Sequence, residues 1–235
     1  MGRRLAIIPA RGGSKRIINK NIRDFCGKPM ISHILESAIA SKLFDCIHVS
    51  TESSDICKVV ESMGLTVHFP RPVELADDRT PLMPVLKFVT DKFAAQGELF
   101  DQVWLLMACA PLIDANDFKG AADLFDSRGG AEPLLAIGEY PVPIEWAFSR
   151  LENGRIIPVM PGKFAIPSQD LGKKFFDTGS FAIYPSKFVR SSKGAGSDLG
   201  YIGYILPKYK AIDIDDEEDW KVAEALYRYL SSICL

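Results

Sequence analysis

Leu5-Ala-Ile-Ile-Pro9 and the Ala10-Arg-Gly-Gly-Ser-Lys-Arg16 that follows it are the residues that decide how this chain folds. The short apolar run predicts a buried first strand, and the loop after it lies at the strand's carboxyl end, where open α/β sheets bind ligands. Gly12 and Gly13 let the backbone approach an anion closely, while nearby arginine and lysine side chains supply charge for a polyphosphate. Neither the Walker nor the dinucleotide-binding glycine pattern is present. Phosphate binding and an ordinary solvated turn therefore both stay open at this point.

Strand and helix patterns alternate along the first half of the chain, which predicts a parallel sheet with helices on both faces. The predicted strands cover 46–50, 66–69 and 103–107, and the predicted helices begin at Pro29, Ser53, about Pro81 and Asp114. After Pro133 the strands at 134–137, 175–184 and 211–214 are joined by long irregular connections and a turn at Asn153-Gly154, before a last helix from Glu217. The chain is therefore predicted to be a single α/β domain over 1–235, a doubly wound, mainly parallel sheet with an irregular insertion at about 139–175.

Composition excludes several classes of protein. Of the 235 residues, 47% are hydrophobic and 25% charged, and the formal net charge is -2. These values are typical of a globular chain and argue against a uniformly basic nucleic-acid binder or a disordered acidic tail. Apolar runs stay well short of the ~20 residues of a membrane helix, so a soluble cytoplasmic protein is expected. Five cysteines without a C-x-x-C pair predict reduced thiols, mostly in the core: Cys26, Cys46, Cys57, Cys109 and Cys234.

The charges gather at two poles of the sequence. Residues 1–28 contain eight lysines and arginines against one acid, Asp24, whereas Asp213 to Asp219 contains six acids and no base. The first pole suits phosphates. In the second, Asp213 and Asp215 lie two apart on a predicted strand end, so their carboxylates point the same way and can hold one hard cation. The alternative for Asp215 is structural, because Asp215 and Glu218 also spell a helix cap with its capping box.

Sequence blocks spread over nearly the whole chain resemble the acylneuraminate cytidylyltransferases, the CMP-sialic acid synthetase family that activates acidic nine-carbon sugars. The resemblance begins in the loop after the first strand and continues to the acidic pole. Pro143-Ile144 and Ser168-Gln-Asp-Leu171 are most similar to the branch that acts on pseudaminic acid. The blocks are Ile8–Arg16, Lys20-Asn21, Phe25–Pro29, Phe44-Asp45, Val49–Thr51, Arg71-Pro72, Glu74–Asp78, Ala108–Leu112, Ser168–Leu171, Asp177–Gly179 and Asp213–Trp220.

Two positions depart from the family pattern. The family commonly has a proline just before the Lys-Asn pair, where this chain reads Ile17-Ile18-Asn19. The pseudaminic branch usually has an arginine before Ser-Gln, where this chain has Pro167.

The resemblance implies a Rossmann-like nucleotidyltransferase fold and the conversion of CTP and a nonulosonic acid, most of all pseudaminic acid, to the CMP-sugar and pyrophosphate. It implies that Arg11, Lys15, Lys20, Asp213 and Asp215 are catalytic, with Mg²⁺ on the two aspartates, and that Ser168, Gln169, Asp170 and Asp177 contact the sugar. The nucleotide-binding residues that it implies are Ala10, Arg11, Gly12, Gly13, Ser14, Lys15, Lys20, Asn21, Arg71 and Asp78.

Other functions stay open beside this one. Within the family, the sugar can be N-acetylneuraminic or legionaminic acid. Outside it, Asp-x-Asp is also the metal motif of many glycosyltransferases, although those enzymes do not need a triphosphate-binding loop. A nucleotide-binding module without catalysis is the alternative that is not an enzyme.

The predicted insertion points to a partner surface. Five of the fifteen prolines lie within 139–175, together with apolar residues that show no sustained helical period, including Ile144, Trp146, Phe148, Ile156, Ile157 and Phe164. Disorder explains the prolines but leaves the apolar content without a surface that buries it. A homodimer formed through the insertion is therefore predicted, and the resemblance implies the same arrangement. No nucleic-acid or membrane partner is expected.

Overall fold

A computed structural model describes residues 2–197 and 200–233, and Cys234 lies outside that range. Its strands are Arg4–Pro9 (β1), Asp24–Phe25 (β2), Lys28–Pro29 (β3), Cys46–Ser50 (β4), Gln102–Leu106 (β5), Leu134–Glu139 (β6), Phe148–Arg150 (β7), Ile156–Pro158 (β8), Phe175–Pro185 (β9) and Ile202–Ile205 (β10). Its α-helices are Met30–Ser41 (α1), Ser54–Ser62 (α2), Leu82–Ala95 (α3), Ala115–Ser127 (α4), Ser186–Ser191 (α5) and Glu217–Ile233 (α6).

Six strands form the central sheet in the order β10-β6-β9-β5-β1-β4. β1 pairs in parallel with β4 and β5, and β10 pairs in parallel with β6. β9 lies between the two groups and is antiparallel to both of its neighbours. The prediction of a doubly wound, mainly parallel sheet is confirmed, and β9 is the strand that makes it mixed.

The two faces of the sheet bury alternate residues of each strand. Ala6 and Ile8 of β1 face the core formed with α1, α2 and α4. Leu5 and Ile7 face the second core, formed with α3 and α5. Because helices cover both faces, β1 is buried along its whole length and reads in the sequence as a continuous apolar run.

Helix ends follow local chemistry. The Asp114 carboxylate accepts hydrogen bonds from the backbone N–H groups of Asn116 and Asp117. The Asp117 carboxylate in turn accepts the N–H of Asp114, which completes a capping box for α4. Ser53 caps α2 through its hydroxyl. These caps fix the entry angles of two helices that pack on β1 and its neighbours.

Two predicted strands are wrong, and one strand of the central sheet was missed. Residues 66–69 and 211–214 have no strand structure, and β10 at the sheet edge was not predicted. In the segment 211–214, the backbone N–H groups of Ala211 and Ile212 bond to the nearby carbonyls of Lys208 and Lys210 instead of a neighbouring strand. The alternation of apolar residues in this segment therefore reflects side-chain burial without a ladder.

The insertion forms an arm that contains the β7–β8 hairpin, with its turn at Asn153-Gly154 as predicted. Trp146 anchors the arm internally, since its indole Nε1 donates to the carbonyl of Ile166 at 3.2 Å. Across residues 2–197 and 200–233, no helix is both long enough and apolar enough to cross a bilayer. The four described cysteines are free thiols, each half-buried, so their predicted place in the core is only partly correct.

Candidate functional site

A cleft of about 480 Å³ opens at the carboxyl end of β1. The loop after β1 forms one wall, and residues from the connections after β4 and β5 complete it. Carboxyl ends of parallel strands are the usual ligand-binding edge of such sheets. The lining residues are Pro9, Arg11, Ser14, Lys15, Arg16, Lys20, Asn21, Arg71, Asp78, Leu82, Met107, Ala108, Cys109 and Asp215.

Asp78 is the internal partner of two cations in the cleft. Its two carboxylate oxygens contact the guanidinium of Arg11 and the ammonium of Lys15. Hydrogen bonds from Lys15 and Arg11 lower the pKa of this carboxyl below its usual value. The Asp78 carboxylate thus holds both basic side chains over the cleft. A phosphate group carries the same sign of charge as this carboxylate.

Glu52 holds the backbone of the glycine pair. Its Oε1 accepts the N–H of Gly12 at 2.7 Å, and its Oε2 is buried without a hydrogen-bond partner. A Cβ on Gly12 would lie 3.1 Å from the Cβ of Ser53, so the loop packs closely against the start of α2. The N–H of Gly12 is therefore directed at a carboxylate of the same chain. Gly13 has open space around it.

Arg71 lies buried at the end of β4 and reaches the cleft from there. Its Nε and Nη2 donate to the hydroxyl and the carbonyl of Ser50, at 3.1 and 2.6 Å. Burial lowers the pKa of this guanidinium, and the nearby Glu52 carboxylate opposes that shift. Arg71 is therefore held in place by Ser50, the last residue of β4. Residues 66–69, which directly precede Arg71, do not form a strand.

Lys20 and Asn21 link the basic loop to the rest of the site. The Lys20 ammonium donates to the carbonyl of Ile214, in the acidic segment almost two hundred residues later. The Asn21 side chain donates to the carbonyl of Arg11 at 3.0 Å and closes the loop on itself. The two charge poles of the sequence therefore meet in space. Ala10 is buried behind the cleft, where its N–H bonds to the carbonyl of Ser50.

The acidic segment divides its carboxylates between two tasks. Asp216 caps α6, accepting the N–H groups of Glu218 and Asp219, and Asp219 accepts the N–H groups of Asp215 and Asp216. The capping alternative for Asp215 and Glu218 is therefore wrong by one residue, since Asp216 and Asp219 form the observed cap. The side chain of Asp215 instead lies in the cleft and pairs with Arg16 at 2.7 Å.

Asp213 lies beside Gly179 of β9. A Cβ on this glycine, whose φ is +60°, would come within 3.1 Å of the Asp213 carboxylate. Limited hydration raises the pKa of Asp213, the negative charge of Asp215 raises it further, and the positive charge of Lys20 opposes the shift. The two carboxylates are close enough to repel each other, which is the condition that a bound cation relieves.

The donor set at Asp213 and Asp215 fits Mg²⁺. This ion prefers oxygen ligands, keeps several waters, and is usually held by one or two carboxylates together with substrate phosphates. Within 2–197 and 200–233 no group of three acids, histidines or cysteines is arranged to hold a metal by itself. Asp215 lines the cleft and Asp213 lies two residues before it, outside the lining. This pair suits the mode of binding in which a substrate phosphate completes the coordination.

The four residues predicted to contact the sugar do not lie together. Asp177 lines a second, smaller cavity beside the cleft, and its carboxylate accepts the N–H of Gly179 at 2.9 Å. Ser168, Gln169 and Asp170 form an exposed 3-10 turn on the arm, outside the lining of either cavity. Their role in sugar binding stays a prediction.

Two residues of the site were missed in the sequence. Arg16 was quoted only as part of a motif, although its pairing with Asp215 joins the two charge poles directly. Glu52 follows the Ser50-Thr51 end of β4 and so lies at the ligand-binding edge of the sheet. An acid in that position was the available signal.

Comparison with known proteins gives a consistent set of relatives. The family model described as Cytidylyltransferase matches residues 5–98. A pseudaminic acid cytidylyltransferase of Campylobacter jejuni is 34% identical over 224 residues, which are 95% of this chain and 96% of that protein. A CMP-N,N'-diacetyllegionaminic acid synthase of Legionella pneumophila is 29% identical, over 94% of this chain and 95% of that one.

Solved structures share the fold at low sequence identity. A CMP:2-keto-3-deoxy-manno-octonic acid synthetase complexed with CTP superimposes with a TM-score of 0.69 at 16% identity, covering 97% of this chain and 99% of the other. A 4-diphosphocytidyl-2C-methyl-D-erythritol synthase of Anaerococcus prevotii gives a TM-score of 0.61 at 13% identity, covering 96% and 98%. Both place the six-stranded sheet described above in the nucleotidyltransferase type of α/β fold.

Proposed function

This chain belongs to the acylneuraminate cytidylyltransferase family, and from that premise we propose that it converts CTP and a nonulosonic acid to the CMP-sugar and pyrophosphate. The observation that carries the proposal is the cleft itself. Arg11, Lys15 and Lys20 face it from the loop after β1, and Asp215 faces it from the opposite end of the sequence. The cleft thus brings together basic side chains that suit a polyphosphate and the acidic side chain of Asp215.

The reaction is an in-line displacement at the α-phosphorus of CTP. The anomeric hydroxyl oxygen of the sugar forms the new P–O bond, pyrophosphate leaves with the electron pair of the broken bond, and the hydroxyl proton passes to solvent. The protein contributes position and charge without a covalent intermediate. Arg11, Ser14, Lys15 and Lys20 bind the triphosphate, and their charges stabilise the negative charge that develops on the departing pyrophosphate.

Asp78 prepares the cations for this task. Because Arg11 and Lys15 already pair with its carboxylate, they are held in the cleft before the nucleotide arrives. The triphosphate then exchanges with Asp78 as their partner. Arg71, buried and bonded to Ser50, supports nucleotide binding from the neighbouring strand.

Asp213 and Asp215 are the residues that hold Mg²⁺ in this proposal. An ion held there would supply Lewis-acid polarisation of the α-phosphate and would lower the pKa of the attacking hydroxyl. Arg16 keeps Asp215 directed into the cleft, and Lys20 balances the charge of Asp213. The acidic segment, which has no regular structure, is thus held by Arg16 at Asp215 and by Lys20 at the carbonyl of Ile214.

Pseudaminic acid is the sugar that we propose, on the strength of the 34% identical relative that carries this name over nearly its whole length. N-acetylneuraminic and legionaminic acids are the alternatives inside the family. The family membership leaves the glycosyltransferase and the regulatory module without support.

A homodimer formed through the arm completes the proposal. Several arm side chains are exposed although they are large and apolar, among them Val142, Ile156, Ile157, Val159 and Phe164. Exposed apolar side chains gathered on one segment favour an interaction site there. Ser168, Gln169 and Asp170 lie on the same arm, so the second copy brings them to the sugar bound in the first.

A matrix assay tests the function. Pyrophosphate release is measured with CTP, UTP, GTP and ATP, each against pseudaminic, legionaminic and N-acetylneuraminic acids, with and without Mg²⁺. We expect turnover with CTP and pseudaminic acid that disappears on chelation. Preference for another nucleotide would refute the assignment of the base, and absence of turnover with every sugar would refute the function.

A further inference from the structure

Lys210 is a buried lysine to which the reaction described above gives no role. Its side chain is 10% exposed, and its ammonium donates to the carboxylates of Asp114 and Asp117, at 2.6 Å each. Lys210 does not belong to the lining of the cleft. Because two carboxylates hold its ammonium, Lys210 is not free to pair with a triphosphate. Any effect on the reaction passes through the residues that Lys210 holds in place.

The two partners of Lys210 belong to the beginning of α4. Asp114 is the residue that caps this helix, and Asp117 lies in its first turn, where both carboxylates also accept backbone N–H groups. The positive end of the helix dipole stabilises negative charge at this position. Since α4 packs against α1 and the central sheet, Lys210 is fastened to the body of the domain.

Lys210 lies three residues before Asp213, in the stretch 206–216, which contains neither helix nor strand. On the other side of Asp213, the Lys20 ammonium holds the carbonyl of Ile214, whose own side chain is fully buried. The two anchored residues, Lys210 and Ile214, are only four positions apart in the sequence. Asp213 is therefore fixed from both sides along the chain.

The sheet lies directly against this stretch. A Cβ on Gly138 of β6 would come within 2.7 Å of the Ala211 Cβ, and one on Gly179 of β9 would come within 3.1 Å of the Asp213 carboxylate. Movement toward the sheet is thus blocked at two points on neighbouring strands. The bonds from Lys210 to α4 resist the remaining movement, which is away from the sheet.

We propose that Lys210 is a positioning residue, which fastens the acidic segment to α4 and so places the Asp213 carboxylate for metal binding. The inference rests on the proposed function, which gives Asp213 that role. Mg²⁺ demands near-ideal geometry of its oxygen ligands, so a displaced carboxylate should weaken the site. A misplacement of about 1 Å can cost about 100-fold in rate. The cations for the triphosphate come from the loop after β1, which Lys210 does not contact, so CTP binding should persist.

Arg4 provides a matched control at the other end of α4. Its guanidinium is similarly buried, at 6% exposure, and pairs with Asp126 of α4 at 2.7 Å. Arg4 is the first residue of β1, whereas the cleft opens at the carboxyl end of that strand. Loss of either cation leaves an acid of α4 without its partner and should lower the melting temperature. Only the loss of Lys210 should reach Asp213.

Lys210→Met and Arg4→Met are compared with the wild type in three measurements. These are the melting temperature, steady-state kinetics at saturating Mg²⁺, and the Mn²⁺ affinity of the protein–CTP complex without sugar. Mn²⁺ serves as a paramagnetic substitute for Mg²⁺, and its binding is followed by the relaxation of water protons.

We expect Lys210→Met to weaken Mn²⁺ binding and to lower kcat, each by at least about tenfold. The KM of CTP should stay within about threefold of the wild type. Arg4→Met should lower the melting temperature and leave Mn²⁺ binding and kcat within about twofold. A Lys210→Met variant that matches Arg4→Met in Mn²⁺ binding and kcat would overturn the inference.

A charge-neutral variant separates position from stability. Lys210→Met combined with Asp114→Asn and Asp117→Asn leaves no unpaired charge, and both asparagines keep an oxygen that can cap α4. Arg4→Met with Asp126→Asn is its control. We expect the melting temperature to recover in both proteins, while the defects in Mn²⁺ binding and kcat persist in the first. Recovery of Mn²⁺ binding together with stability would overturn the inference. This variant also decides the question if Lys210→Met alone does not fold.

Mn²⁺ binding also separates this inference from the proposed function. If no sugar gives pyrophosphate, the function fails, and Lys210 is judged on Mn²⁺ binding alone. Binding that the loss of Lys210 weakens at least about tenfold, and the loss of Arg4 does not, then supports the positioning role. A wild-type complex with CTP that binds no Mn²⁺ would overturn it, because Asp213 would have no ion to hold.

Discussion

The loop after β1, residues 10–16, and the arm differ in how their side chains are partnered. In the loop, cations are paired within the chain, Arg11 and Lys15 with Asp78 and Arg16 with Asp215. In the arm, Ile156 and Phe164 keep 59% and 62% of their surface exposed. The cations of the loop find their partners within one copy of the chain. The large apolar side chains of the arm stay exposed in one copy, and the proposed dimer would bury them against the second copy.

The largest effect that would sharpen this contrast lies in the cleft. Asp213→Asn and Asp215→Asn should each lower kcat by about 10³ or more, because the loss of a metal carboxylate removes several kcal/mol of transition-state stabilisation. Steady-state kinetics over a range of Mg²⁺ concentrations measures it. Asp216→Ala is the control, since this neighbour caps α6 and should cost about 1 kcal/mol of stability with kcat unchanged. Normal turnover in the Asn variants would remove both residues from the mechanism.

The arm provides the next largest effect. The double variant Ile156→Asp, Ile157→Asp places charges on the exposed apolar strand β8 and should give monomers. If the arm serves the partner's sugar, kcat/KM for the sugar falls by about 100-fold, in the range of an interface lost at its centre, while the Kd of CTP stays unchanged. Sedimentation measures the mass, steady-state kinetics measures kcat/KM for the sugar, and titration measures the Kd of CTP.

Val222→Asp, at an equally exposed apolar position on α6, is the control for added charge. A wild-type protein that is monomeric and fully active at micromolar concentration would break the comparison, because the arm would then be complete alone.

A smaller effect is expected for single cations of the loop. Lys15→Ala and Lys20→Ala should weaken CTP binding by about 10- to 100-fold, the range of one charge-assisted hydrogen bond lost. Lys58→Ala removes a lysine from an exposed ion pair on α2 and should have no effect on CTP. An effect on the sugar KM alone would contradict the role of the loop.

The smallest effect tests whether Glu52 positions the loop. Glu52→Gln keeps an oxygen that can accept the N–H of Gly12, and we expect CTP binding within about threefold of the wild type. Glu52→Ala leaves that N–H without its partner and should weaken CTP binding by about tenfold. Equal loss in both variants would mean that the charge of Glu52 matters more than its hydrogen bond.

The sequence predicted the parts of the fold whose local pattern and tertiary environment agree. The strand predicted at Leu5–Pro9 is β1, because a strand buried by helices on both faces leaves a continuous apolar run. Residues 66–69 show the opposite case. His68 and Phe69 make ring contacts with His48 and Phe93, so side-chain contacts hold the segment in place without pairing to β4.

The candidate site was predictable where a motif carries it and less so where a single contact does. The loop after β1 and Asp215 were both singled out in the sequence, and both line the cleft. The bond between Glu52 and Gly12 depends on how two loops from different strands approach each other, a distance that no local pattern encodes. The one-residue error in the capping residue has the same origin, since several adjacent acids could serve as the cap.

The place of β9 in the sheet bears on the order in which the two halves of the sheet can form during synthesis. The first 106 residues supply three adjacent strands, β4, β1 and β5, while the other half of the sheet waits for β9, which begins at Phe175. As the chain leaves the ribosome, the basic loop and its partner Asp78 emerge early, whereas Asp213 and Asp215 follow well over a hundred residues later. A nascent chain therefore holds the cations of the cleft long before it holds the two carboxylates.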